Sequence, residues 1–269
     1  MKKIIRYIIL LMAALAFLYP FVWMISASFS EERSIEYITF LPVHFTIDHY
    51  RRLFESIPII HSLINSIIVS GSVTFGVLIF SSMVGYALAK HRFRGRNLIF
   101  YLIIFTMTLP FQLTIIPTYI LMVKLNWTNT FLALIVPGLL NAFAIILFRQ
   151  HFMTIPQDLI DAARIDGCSE WRILFQILWP VSGPTLITVG IITFMTTWND
   201  VLWPIIVMRT EKLMTMPQLV TLFAVGGRSM GQIGMKLASA TLLAAPIITA
   251  YMFFQKYFIQ SMAASGQKE

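Results

Sequence analysis

The chain has 269 residues, of which 58% are hydrophobic and 12% charged, and its mean hydropathy is +0.78. A water-facing globule carries about twice that charged fraction, and a disordered chain is far less apolar. The lone cysteine, Cys168, excludes a disulfide-stapled module, and the +8 charge is scattered between apolar runs, which excludes a nucleic-acid-binding patch. What remains is a membrane protein.

Crossing a bilayer takes about 20 apolar residues, and a lipid-exposed backbone must satisfy its own hydrogen bonds. Runs free of Lys, Arg, Asp and Glu predict six membrane helices, at about 7–28, 61–87, 97–122, 128–148, 176–203 and 237–258, in one domain. The first follows Lys2, Lys3 and Arg6 and ends near Ser26-Ala27-Ser28, in the manner of a secretory signal. Signal cores run to about 15 residues. This run is longer, so a retained helix is expected. The segment after it holds Glu31, Glu32, Glu36, Asp48 and Glu55.

Along the second span Ser62, Ser66, Ser70 and Thr74 recur every four residues, one small hydroxyl-bearing stripe on a helix. Such a stripe lets helices pack closely or lines a cavity. In the third span Pro110 and Pro117 predict kinks. Near the outer end of the fifth, Trp198-Asn199-Asp200 joins an aromatic face to polar groups, as sugar sites do. The same triplet also suits an interfacial Trp with a helix end behind it. Leu213 to Gly227, interrupted by Pro217 and Gly226-Gly227, reads as an interfacial or re-entrant loop. The tail from Gln260 to Glu269 is polar and either reaches a partner or stays free.

Lys2, Lys3, Arg6, Lys90, Arg92, Arg94 and Arg96 outnumber Arg33, Arg51 and Arg52 on the early flanks. By the positive-inside rule both termini face the cytoplasm. The loop at about 154–172 is then cytoplasmic. In it Thr154 and Pro156 suit a helix start, Asp158 suits the positive end of its dipole, and Gly167 suits its stop. Leu159 and Ala163, flanked by Asp161 and Arg164, form an apolar strip. A helix resting on lipid headgroups is rich in Lys and Arg. This one is acidic, so it predicts a protein partner.

No His-Glu-x-x-His or Cys-x-x-Cys pattern offers a metal site, and neither a Walker A loop nor a Gly-x-Ser-x-Gly elbow occurs. If nucleotide hydrolysis drives this protein, another chain performs it. The spans lack the ionisable groups of ion-coupled carriers, apart from Asp200.

Asp161-Ala162-Ala163, Asp166-Gly167, Ile177, Pro180 and Pro184 resemble the EAA loop of bacterial ABC importer permeases, with Asp161 for the usual Glu and Trp179 for a frequent Leu. Tyr19-Pro20-Phe21-Val22-Trp23-Met24, Phe45-Thr46-Ile47-Asp48-His49-Tyr50, Asn65-Ser66, Gly85-Tyr86-Ala87-Leu88-Ala89, Phe93-Arg94-Gly95-Arg96 and the stretch from Thr197 to Pro204 extend the resemblance to the smaller permease of maltose-type carbohydrate importers. The resemblance implies an all-α, polytopic type I importer fold in the bacterial inner membrane. It implies that Asp161, Ala162, Ala163, Asp166 and Gly167 form a coupling helix for an ATPase. Trp198, Asn199, Asp200, Ser66 and Ser70 are candidates for the substrate path. The implied partners are a second permease, two ATPase subunits that hold ATP and Mg, and an extracytoplasmic sugar-binding protein. No cofactor is expected on this chain. The rival readings are a glycerol-phosphate importer of the same class and an ion-coupled secondary carrier.

Overall fold

The computed structural model describes residues 2–31, 44–226 and 232–266. Glu32, Glu36, Gly227 and the last three tail residues therefore lie outside the described residues. The described chain is helical, with one isolated bridge between Ser30 and Phe45. Its elements are α1 (Lys2–Ser28), α2 (Asp48–Ser56), α3 (Ile59–Lys90), α4 (Arg96–Thr108), α5 (Phe111–Lys124), α6 (Phe131–Ile135), α7 (Ala142–Thr154) and α8 (Gln157–Ile165). After these come α9 (Glu170–Arg172), α10 (Trp179–Val181), α11 (Gly183–Trp198), α12 (Leu202–Val207), α13 (Met216–Val225) and α14 (Ile233–Gly266).

Among the described residues three helical stretches are long and apolar enough to cross a membrane: Lys3–Ser28, Ile59–Lys90 and Phe131–Thr154. Two bent pairs bring the number to five if each pair is one span. In the first, α4 and α5 meet at 102°. Pro110 disfavours helical backbone at the residue before it, and Leu109 is accordingly extended, at φ −80 and ψ 118. Each leg is about 20 Å long, short of the roughly 30 Å hydrocarbon core. The kink predicted at Pro110 is thus a full break, whereas Pro117 stays inside α5. The second pair bends by 88° between Val181 and Gly183, beside Pro180 and Pro184 and after a π-helical turn over Ile173–Leu178. Pro20 leaves α1 continuous.

The chain divides into two compact units. The first comprises 1–63 and 215–250. Within it Phe29 stacks on Phe45 and Tyr50, with ring centroids 5.4 and 4.8 Å apart. The hydroxyls of Ser28 and Tyr50 share a 2.8 Å hydrogen bond, and His49 Nε2 lies 2.9 Å from the Ser30 carbonyl. Gly234 packs directly on the His49 ring, where no side chain would fit. The stretch expected as an interfacial loop contains α13, with Pro217 in its first turn, where proline's missing N–H costs nothing.

The second unit comprises 64–214 and 251–269. Its core runs from Val69, Val73 and Val77 on one face of α3 to Phe148 and Phe152 of α7, Ile160 and Ala163 of α8, and Ile173, Leu174 and Leu178. Two asparagines tie its connections. Asn65 Nδ2 donates to the Lys212 and Met214 carbonyls at 2.9 and 3.0 Å. Asn129, at φ +60, accepts through Oδ1 from the Arg209 and Thr210 amides, both at 2.9 Å.

Candidate functional site

The second unit gathers the acidic loop, the end of α3 and the helix entering the fifth apolar stretch. α8 starts from Pro156, whose ψ of 138 turns the chain into the helix. Thr154, expected as its cap, is instead the last residue of α7 and donates its hydroxyl to the His151 carbonyl at 2.7 Å. At the other end Gly167 takes φ +79, a backbone conformation that glycine adopts without steric cost. The Cys168 amide returns to the Ala163 carbonyl at 2.9 Å and the Gly167 amide to that of Arg164 at 3.0 Å, the paired closure of a Schellman stop. The Ser169 side chain then accepts from the Arg172 amide and opens α9.

The short helix has two faces. Ile160 and Ala163 are buried in the core of the unit. Asp158, Asp161, Ala162, Asp166 and Gly167 are exposed, and so is Ile165, at 87%. The apolar strip expected from Leu159 and Ala163 is therefore divided: Leu159 is exposed and Ala163 faces inward. The outward surface is Leu159, Ala162 and Ile165 amid three carboxylates.

Glu170 holds α8 to α3. Its Oε2 accepts from the Tyr86 hydroxyl at 2.5 Å and lies 3.3 Å from His91 Nε2. Its Oε1 accepts from Arg164 Nε at 2.9 Å. Arg164 also reaches Asp161 Oδ1 at 3.3 Å, and Gln157 donates to the same oxygen at 3.1 Å. The hydrogen bond to Glu170 pushes the Arg164 pKa above its ordinary value, so the guanidinium is charged at any physiological pH. Lys90 adds a 2.6 Å bond to the Ile155 carbonyl, just ahead of α8. Movement of α8 is thereby tied to the end of a helix of 32 residues. Sequence reasoning missed Tyr86, His91 and Glu170 as a group, because 84 positions separate Tyr86 from Glu170. Trp179, a departure from the usual Leu, donates its indole N–H to Ser82 Oγ at 3.1 Å and adds a second tie to α3.

Of the substrate-path candidates, Trp198, Asn199 and Asp200 close α11, and Ser66 and Ser70 lie on α3. Trp198 is enclosed, at 1% exposure, and stacks on Phe194 with ring centroids 5.7 Å apart, so its ring presents no open face in this structure. Asn199 is exposed and donates to the Met195 carbonyl at 2.8 Å. Asp200 is half-buried and accepts from the Trp203 amide at 3.4 Å. Ser62, Ser66 and Ser70 are buried, and Gly190 of α11 comes close to Thr74 and Leu78. That arrangement is close helix packing. Among the described residues no group of His, Cys, Asp and Glu could hold a metal.

Comparison with known proteins accords with this architecture. A family model described as "Binding-protein-dependent transport system inner membrane component" matches residues 78–264. The chain is 36% identical to the arabinooligosaccharides transport system permease protein AraQ of Halalkalibacterium halodurans, over 93% of this chain and 91% of the relative. It is 30% identical to the lactose transport system permease protein LacG of Rhizobium radiobacter, over 98% and 96%. It is 32% identical to the sn-glycerol-3-phosphate transport system permease protein UgpE of Pectobacterium atrosepticum, over 76% and 72%. Among solved structures, a chain of a bacterial ABC transporter involved in import of the acidic polysaccharide alginate superposes with a TM-score of 0.83, at 27% identity and 96% coverage of both chains. An all-helical chain with several membrane-length apolar stretches, matched along nearly its whole length by importer permeases, is a member of the binding-protein-dependent transport system inner membrane component family.

Proposed function

We propose that this chain is one of two permease subunits of an ATP-driven importer that carries an oligosaccharide into the cytoplasm by alternating access. The observation that carries this reading is the full-length likeness to permeases named for arabinooligosaccharide and lactose transport. In this reading the chain crosses the membrane six times, with both termini cytoplasmic, and an extracytoplasmic binding protein delivers the sugar. Each permease seats its coupling helix on one of two ATPase subunits, which hold ATP and Mg. On this chain the helix is α8. Ala162 and Ile165 suit an apolar cleft floor, and Asp158, Asp161 and Asp166 suit a basic rim. ATP-driven closure of the ATPase pair moves α8, and Glu170 passes that movement to α3.

Asn199 is the exposed polar group of the Trp198-Asn199-Asp200 triplet and the path contact we assign there, with Trp198 packed behind it. Ser66 and Ser70 serve the same path as the close-packed wall of α3. A glycerol-phosphate substrate is the rival reading within the same class, and cationic groups in the cavity, on this chain or on the second permease, would favour it.

Uptake of labelled arabinooligosaccharide into vesicles holding the whole transporter, with binding protein outside and ATP inside, tests the reading. Uptake that requires ATP and ignores ion gradients is expected. Uptake that follows an ion gradient without ATP would overturn it in favour of a secondary carrier. Replacing Asn199 and Asp200 together with alanine is expected to lower uptake about tenfold, the scale of one or two hydrogen bonds. Unchanged uptake would remove both from the path.

A further inference from the structure

Next to the loop that carries α8, the connection from α3 to α4 is strongly cationic. Arg92, Phe93, Gly95, Arg96, Asn97 and Leu98 line a hollow of about 390 Å³. Gly95, at φ +87, turns the chain into α4, and no side chain caps that helix, so the positive end of its dipole adjoins the hollow. One turn beyond Arg96, Phe100 lies under the Arg149 guanidinium, which sits 3.9 Å from the ring centroid where α7 packs along α4.

Among the described residues these arginines have no anionic partner. Nε of Arg96 and Nε of Arg149 are both buried without a hydrogen-bond partner among the described residues. Arg96 gives one long bond, 3.4 Å from Nη1 to the His91 carbonyl. Among the described residues no carboxylate pairs with Arg92, Arg94, Arg96 or Arg149. Guanidinium groups withdrawn from water with no counter-charge are unfavourable, and an anion with several oxygens would satisfy their fixed forks of donors. The neighbouring wall is apolar: α4 buries none of its residues, and Leu98, Ile99, Tyr101, Leu102 and Phe105 are all exposed. A ligand that fits both surfaces has a charged phosphate at one end and hydrocarbon at the other.

We propose that this hollow binds the phosphate of an anionic phospholipid. Arg96 holds the phosphate, Arg92 closes over it, Arg149 adds its charge from over the Phe100 ring, and the acyl chains lie along α4. The bound lipid braces the α3–α4 connection beside His91 and Lys90, which contact the α8 loop. The site requires only that the chain lie in a membrane, so its failure would leave the transport reading intact.

Native mass spectrometry of the intact transporter complex, titrated with phosphatidylglycerol and with phosphatidylcholine, tests the proposal. Replacing Arg96→Gln and Arg149→Gln together should weaken one phosphatidylglycerol site about thirtyfold, or about 2 kcal/mol, and leave phosphatidylcholine binding unchanged. If that double variant does not assemble, Arg92→Gln at an exposed position decides, with an expected loss of about fivefold. Equal phosphatidylglycerol binding by the wild type and an assembled variant would overturn the proposal. Displacement of the lipid by inorganic phosphate alone would overturn it in favour of a free anion.

Discussion

Replacing Gly85 with valine is expected to remove most of the folded chain from the membrane. Gly85 lies where α3 crosses α7, and a Cβ there would stand 2.7 Å from the Phe148 Cβ, 3.0 Å from the Arg149 amide nitrogen and 3.2 Å from the Ile145 carbonyl oxygen. Two of those neighbours are backbone, so no rotamer change makes room and the helices must separate. Overpacking of this kind costs about 3 kcal/mol, and half that cost already lowers cellular abundance several-fold. Gly71, on the same helix, has nothing within 4 Å of its Cβ position. Gly71→Ala should therefore be neutral or gain up to about 1 kcal/mol of helix propensity. Quantitative blotting of membranes checks both, and equal abundance of Gly85→Val and wild type would refute the close crossing.

The second large effect is expected at Glu170. Glu170→Ala takes the shared acceptor from Tyr86 and Arg164 and the carboxylate that lies against His91. α8 keeps its Schellman stop and its outward face, so ATPase subunits should still associate. The tie between α8 and α3 is what disappears. Coupling through a packed network of this size is worth about 0.5–2 kcal/mol, and sugar uptake should fall about tenfold. A positioning role predicts more: ATP hydrolysed per sugar imported should rise, because the ATPases cycle while the permease lags. Tyr86→Phe, which leaves Arg164 and His91 in place, should lose about threefold, the value of one hydrogen bond. An unchanged ratio of hydrolysis to uptake in Glu170→Ala would show that Glu170 does not transmit the movement.

Local chemistry made part of this site legible in the sequence. Gly167 marks the end of α8 because a left-handed stop is a property of a few adjacent residues, and Pro110 marks a kink for the same reason, though not that the kink is a full break. The size of a bend is not local. The 102° between α4 and α5 depends on what each leg packs against, and a proline alone specifies only where the chain gives way. The inward face of α8 was ambiguous because a short helix with Leu159, Ile160, Ala163 and Ile165 has apolar residues all around, and only the core beneath it selects Ile160 and Ala163. Glu170 was readable as the start of a helix, but its partners Tyr86 and His91 come from α3 and the turn after it, and no pattern within either segment points to the other. Residue types alone leave the Trp198 triplet open between a sugar platform and an interfacial helix end; burial of the indole, which bears on whether a ring can stack on a ligand, is a tertiary property.

In the proposed transporter this permease is one subunit of an assembly whose ATPases dock on α8. The most direct test is the intact mass of the complex that copurifies with this chain from its native membrane, measured for wild type and for Ile165→Arg, which places a cation at the centre of the outward face. The expected wild-type mass equals this chain, a second permease and two copies of an ATPase, with ATPase lost from the variant. A chain that purifies alone under conditions that preserve such complexes, or a variant that retains its full ATPase complement, would contradict it.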